Sequence, residues 1–190
     1  MQTSIEHLRV ERLAAYARVR GGYPVPLAGM IYWLGLGVAG PYLALQTWLL
    51  LAFATSGVIF PLAVCLSWIL RSPFLKDKTA LGSLLIPTFI GMLLFWPMAV
   101  AAYWTAPGLT PLILAIGLSM HWPVIGWTYA RTPLFAAHAI IRAIACFYIW
   151  HVVPATTTTL MPFTVAAIYG VTVVYILFDA SLVRRRLAID

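Results

Sequence analysis

Acidic side chains are the scarcest feature of this 190-residue chain, with five Asp and Glu against twelve Lys and Arg. Charged residues make up 9% of it, where soluble globular domains carry about 25%. Hydrophobic residues reach 63%, and the mean hydropathy is +0.94. A soluble fold of this size has too little interior for so much apolar surface, so the solvent must be lipid. The shortage of carboxylates argues against magnesium-dependent headgroup transferases and acid-lined cation pathways. Gly-x-Ser-x-Gly, His-Glu-x-x-His, P-loop and Cys-x-x-Cys motifs are all missing. A lipid-modifying enzyme would have to use Ser119 and His121, which two residues apart on a helix point well away from each other, so an enzyme is disfavoured and no cofactor or metal is implied. Haem held by His121 and His138 is disfavoured, because the two histidines fall at different depths. Only two cysteines are present. Cys65 and Cys146 sit in separate apolar runs near opposite faces and read as small buried hydrophobes, without a disulfide. The opening "MQTSIEHLRVERLAAYARVR" lacks the apolar core and small-residue cleavage site of a signal peptide.

What is present is a succession of apolar runs. Six spans are predicted, near 26–43, 47–70, 81–104, 111–130, 134–153 and 160–179, each close to the ~20 residues that cross ~30 Å of hydrocarbon. Short separators such as "GPY", "TAPGLT" and "RTP" make neighbouring spans antiparallel. The expected fold is thus all-α: three transmembrane hairpins preceded by a short amphipathic helix. Its parts are a cytoplasmic N-terminal segment (1–22), a membrane domain (23–180) and a basic tail (181–190). Arg9, Arg12, Arg18 and Arg20 precede the first span. Arg71, Lys76 and Lys78 follow the second, Arg131 the fourth, and Arg184, Arg185 and Arg186 the sixth. The opposite loops carry no charge, so both termini are expected in the cytoplasm. Net positive charge here serves orientation, with no nucleic-acid partner implied. Trp48, Trp104 and Trp150 at one level, and Trp68 and Trp127 at the other, suit interfacial belts. Trp33, Trp96 and Trp122 fall deeper and need a packing explanation. Gly29, Gly35, Gly37 and Gly40 offer a face for close packing, within the bundle or across a homodimer. "FPLAVCLSWILRSPF" and "WPVIGWTYARTPLF" echo one another through an aromatic-Pro pair and an Arg-Ser/Thr-Pro exit. Independent use of the same helix breakers explains the echo better than a repeat.

Arg142 obeys no topological rule. A charge at the centre of a span costs about 2.5–3.5 kcal/mol on insertion scales. Either Arg142 snorkels toward the cytoplasm, about 13 Å away at the helical rise, or it faces the bundle and finds an acceptor. Asp179 is the one acid at a span edge, and its side chain leans inward from the neighbouring helix. An Arg142–Asp179 pair that only fixes helix packing is one expectation, with another membrane protein or a second copy as partner. The other adds His138, one turn from Arg142, and His121 across the "RTP" hairpin, with Ser119 and Tyr129 as hydroxyl donors. Together these would line a cytoplasm-facing polar cavity that binds or transports a small anion, a proton or a lipid headgroup.

The segments "PLAGMIYWLGLGV", "TSGVIFPL", "LKDKTALGSL" and "HWPVIGWTYAR" resemble an uncharacterised family of small bacterial multi-pass membrane proteins, a domain of unknown function. The resemblance covers most of the chain after residue 24. It implies a bacterial inner membrane and transfers no functional residue.

Overall fold

The computed structural model describes residues 2–73 and 84–187, and every regular element among them is helical. Lys76, Lys78 and the predicted entry of the third span lie outside these residues. The helices are α1 (Gln2–Arg18), α2 (Pro24–Ala39), α3 (Leu45–Ser56), α4 (Ile59–Ile69), α5 (Leu85–Leu93), α6 (Trp96–Thr105), α7 (Thr110–Gly117), α8 (Trp122–Thr128), α9 (Thr132–Val152) and α10 (Leu160–Arg186).

Three apolar runs are interrupted part-way, between α3 and α4, α5 and α6, and α7 and α8. The first interruption bends its span by 53°. In each case the chain restarts beside an aromatic-Pro pair: Phe60-Pro61, Trp96-Pro97 and Trp122-Pro123. Proline lacks the N–H that would bond four residues back and its ring collides with that carbonyl, so it is tolerated in a first helical turn and breaks a helix interior. The third such pair makes this a general breaker of the chain, which accounts for the echo seen in the sequence.

Four helical stretches are long and apolar enough to cross a membrane: Ile86–Thr105, Pro107–Thr128, α9 and α10. The bent α3–α4 pair makes a fifth if it is one span. The remaining run of the six expected, α2, has 16 residues, about 24 Å at 1.5 Å per residue, short of the ~30 Å core.

The centre of the bundle is α10, which packs most extensively on α2 and also on α9, α1 and α7. Glycine sets the first of these contacts. A Cβ on Gly29 would lie 2.8 Å from the Tyr169 ring, and one on Gly37 would lie 3.0 Å from Phe163. Gly29 and Gly37 are therefore used within the bundle, whereas Gly35 is exposed and a Cβ there would meet nothing within 4 Å. Tyr32 donates to Ala52 O at 2.9 Å, and Trp48 Nε1 donates to Leu36 O at 2.9 Å, lashing α2 to α3. Trp48 is consequently a core residue and not part of a belt, whereas Trp68 and Trp104 are exposed as expected.

Helix α1 does not simply float beside the bundle. Ile5 and Val10 are exposed, but Ala15, Tyr16 and Ala17 are buried, and the helix packs on α10. The turn into α2 runs through Arg20, Gly21 and Gly22, all at positive φ. A side chain on Gly21 would collide with Ile176, so that turn has both a conformational and a steric need for glycine.

Candidate functional site

The buried stripe of α9 is Phe135, His138, Arg142, Cys146 and Ile149, the spacing of one helical face. Opposite it α10 buries Val165, Tyr169, Thr172 and Ile176. Where the stripes meet, Arg142 is 0% exposed. Its Nη1 donates to the Tyr169 hydroxyl at 2.8 Å. Its guanidinium carbon stands 5.1 Å from the ring centres of both Trp33 and Tyr169. Aromatic faces attract a desolvated cation by about 2 kcal/mol or more, which offsets part of the burial cost. No carboxylate pairs with Arg142 among the described residues.

One turn away, His138 Nδ1 lies 2.8 Å from Thr172 Oγ1, and that hydroxyl donates its own proton to Ile168 O at 2.7 Å. Thr172 must then accept, so His138 carries its hydrogen on Nδ1. The Trp122 ring connects the two histidines, with centroids 4.8 Å from His138 and 5.3 Å from His121. The cluster leaves several buried polar atoms without partners: Arg142 Nε and Nη2, Trp33 Nε1, Trp122 Nε1, His138 Nε2 and His121 Nδ1. Four of these six are obligate donors. Buried polar groups are normally satisfied, and a surplus of donors calls for an acceptor from outside the chain.

The expected Arg142–Asp179 pair does not form. Asp179 is held by Arg131 instead, at 2.6 Å from Nε to Oδ2 and 3.3 Å from Nη2 to Oδ1. The reason is register: Arg131 is the N-cap of α9, at the level where α10 carries Asp179, whereas Arg142 is three turns along, opposite Tyr169. Nor does Arg142 snorkel. Ser119 lies in the turn between α7 and α8 and donates back to Ile116 O at 2.6 Å. Tyr129 belongs with the Arg131 end, its ring 5.7 Å from Tyr16. There Tyr16 donates to Ile176 O at 3.4 Å, and Arg131 lies over its ring. Burial, and after it the Asp179 carboxylate, push the Tyr16 hydroxyl above the ordinary tyrosine range. Arg12 of α1 bonds to Trp127 O and covers the indole face. The six predicted site residues thus divide. Arg142 and His138 share one cluster, His121 adjoins it through Trp122, and Asp179, Ser119 and Tyr129 lie elsewhere.

A cavity of about 360 Å³ lies beside the cluster. His121, Trp122 and Tyr169 line it on the side of the cluster. Val25, Phe89 and Met92 contribute to its apolar walls. It lies where α3–α4 and α7–α8 are interrupted, and its rim includes Gly57, Phe60 and Leu93, which are exposed on the outside of the bundle. The opening is thus lateral and apolar rather than a polar mouth at one end. A smaller void of about 30 Å³, enough for a water, shares Val25, Phe89 and Trp122 with it and reaches Gly21, Gly22 and Tyr129.

Tyr169, Thr172, Trp33 and Trp122 escaped the sequence reading as site residues. The signal that finds them is a polar or aromatic side chain on the buried stripe of an apolar helix, such as Tyr169 and Thr172 among Val165 and Ile176. No curated protein and no solved structure matches the chain. Residues 8–179 match the family of unknown function DUF7010, and the chain belongs to that family.

Proposed function

We propose that this is an integral membrane protein that binds, and by extension carries, a small anion or the anionic head of a lipid at Arg142. One observation carries the reading: a fully buried guanidinium has a single neutral acceptor and two unpartnered nitrogens. Intramembrane charges are costly and are retained mainly where they serve a site. Trp122 and Tyr169, which adjoin the guanidinium cluster, also line the neighbouring cavity. The proposal includes six spans as three hairpins, with α2 as a short first span completed by the turns at its ends. The one-sided placement of basic residues supports cytoplasmic termini, and the bacterial inner membrane is the proposed setting. A proton alone suits the site less well, because unpartnered donors call for an acceptor and a proton supplies none.

The test compares wild type with Arg142→Met in nanodiscs of phosphatidylcholine, with and without inorganic phosphate or phosphatidylglycerol. Anionic additives are expected to raise the thermal midpoint of the wild type and leave the variant unmoved. Equal responses in both proteins would overturn the reading and leave Arg142 as a packing strut between Trp33 and Tyr169.

A further inference from the structure

Resting on the anion-binding reading, we propose that the cavity beside Arg142 takes the alkyl chain of a single-chain amphipathic carboxylate, a free fatty acid in chemical class. The ligand enters sideways from the bilayer between α4 and α5.

The head is argued from donors. The Tyr169 hydroxyl accepts from Arg142 and gives its own proton to nothing among the described residues. A hydroxyl that accepts from a cation becomes a stronger donor. Trp122 Nε1 is buried without a partner, and His121 is 6% exposed with Nδ1 unpartnered. All three residues are on the cavity wall, the Trp122 and His121 nitrogens lying buried beneath its surface. Ser56 is also there but is spent on Phe53 O at 2.9 Å. These donors match a compact acceptor, and the unneutralised charge of Arg142 behind Tyr169 selects an anionic one.

The body is argued from shape. Apart from those groups the walls are apolar, and about 360 Å³ is at the small end of the ~300–1,000 Å³ typical of ligand sites. One chain with a carboxylate suits it; two chains and a phosphodiester headgroup do not. The rim explains the route. Gly57, Phe60 and Leu93 offer no charge and only apolar surface, so a ligand already dissolved among lipid chains reaches the cavity without crossing water.

Gly57 supplies the decisive variant. A Cβ there meets nothing within 4 Å, and Gly57 caps α3 in right-handed conformation, so a large side chain fits at the cavity rim without a backbone clash and would obstruct it. Wild type, Gly57→Leu, Gly57→Trp and Arg142→Met would be held in phosphatidylcholine nanodiscs. Isotope-labelled dodecanoate, octanoate, methyl dodecanoate and dodecyltrimethylammonium would be followed by native mass spectrometry and competition. Inorganic phosphate would be read by thermal midpoint. The wild type is expected to hold one dodecanoate, at least tenfold tighter than octanoate, the ester or the ammonium. Gly57→Leu should weaken dodecanoate and Gly57→Trp should do so at least tenfold, while both keep the phosphate response. Arg142→Met should bind dodecanoate and its ester alike. Dodecanoate binding indifferent to Gly57→Trp or to chain length would overturn this proposal, and an Arg142-dependent phosphate response would then leave the anion-binding reading standing. If no anionic probe separates wild type from Arg142→Met, both fail.

Discussion

The two ends of α9 treat arginine in opposite ways. At its start, Arg131 is partly exposed and grips Asp179 through two nitrogens, with Tyr16 beneath the guanidinium. Eleven residues on, Arg142 is wholly buried, lies between two aromatic rings and bonds one phenol. The first arrangement is complete: opposite charges meet where solvent screens what is left over. The second is incomplete, with unpartnered donors outnumbering unpartnered acceptors in the cluster. A pair such as Arg131–Asp179 is expected wherever helices need joining. A lone buried guanidinium costs stability, a cost that a bound anion would offset under the proposed function.

That contrast can be broken experimentally. The largest effect is expected from Tyr169→Phe, which strips Arg142 of its one acceptor. A buried charged donor left bare costs about 3 kcal/mol, read as a lower thermal midpoint in detergent. Arg142→Met tests the opposite sign. It removes the desolvated charge but keeps the volume, and the ligand-free protein should become more stable by about 2 kcal/mol while losing its anion response. A loss of stability there would mean that the stacked guanidinium is worth more than its burial costs.

Gly29→Ala sharpens the comparison by moving Tyr169 without touching Arg142. Its Cβ would press on the ring from 2.8 Å, for a cost of about 1–3 kcal/mol and a weakened anion response. Asp179→Asn should cost only about 1 kcal/mol, since its partner is partly exposed, and should leave anion binding unchanged. The smallest effect belongs to Gly57→Leu, within about 0.5 kcal/mol, because the new side chain occupies open space.

Much of the architecture was legible in advance because it follows from local chemistry. Long apolar runs, prolines beside aromatics and clustered arginines fix helix, break and basic end with little help from the rest of the chain. The α2 span was read too long because Gly40 and Pro41 end the regular helix at Ala39. The site was half legible. Arg142 and His138 announce themselves as polar residues on one face of an apolar helix. Asp179 is one of the partners the sequence offers Arg142, as the one acid at a span edge with an inward lean, but neither feature specifies register, and Arg131 at the helix start holds it instead. Tyr169 and Trp33 pass for ordinary membrane aromatics until α2 and α10 are seen to press them against the guanidinium.

By itself the sequence determined that the chain lives in lipid, is helical, and carries a charge where lipid tolerates none, because hydropathy and helical periodicity act over a few turns. Only the tertiary structure decided which acceptor that charge meets, that its glycine-faced neighbour lets Tyr169 reach it, and that the interrupted helices leave a cavity alongside. Those outcomes depend on the register and separation of helices far apart in the chain, and sub-ångström differences in packing settle them.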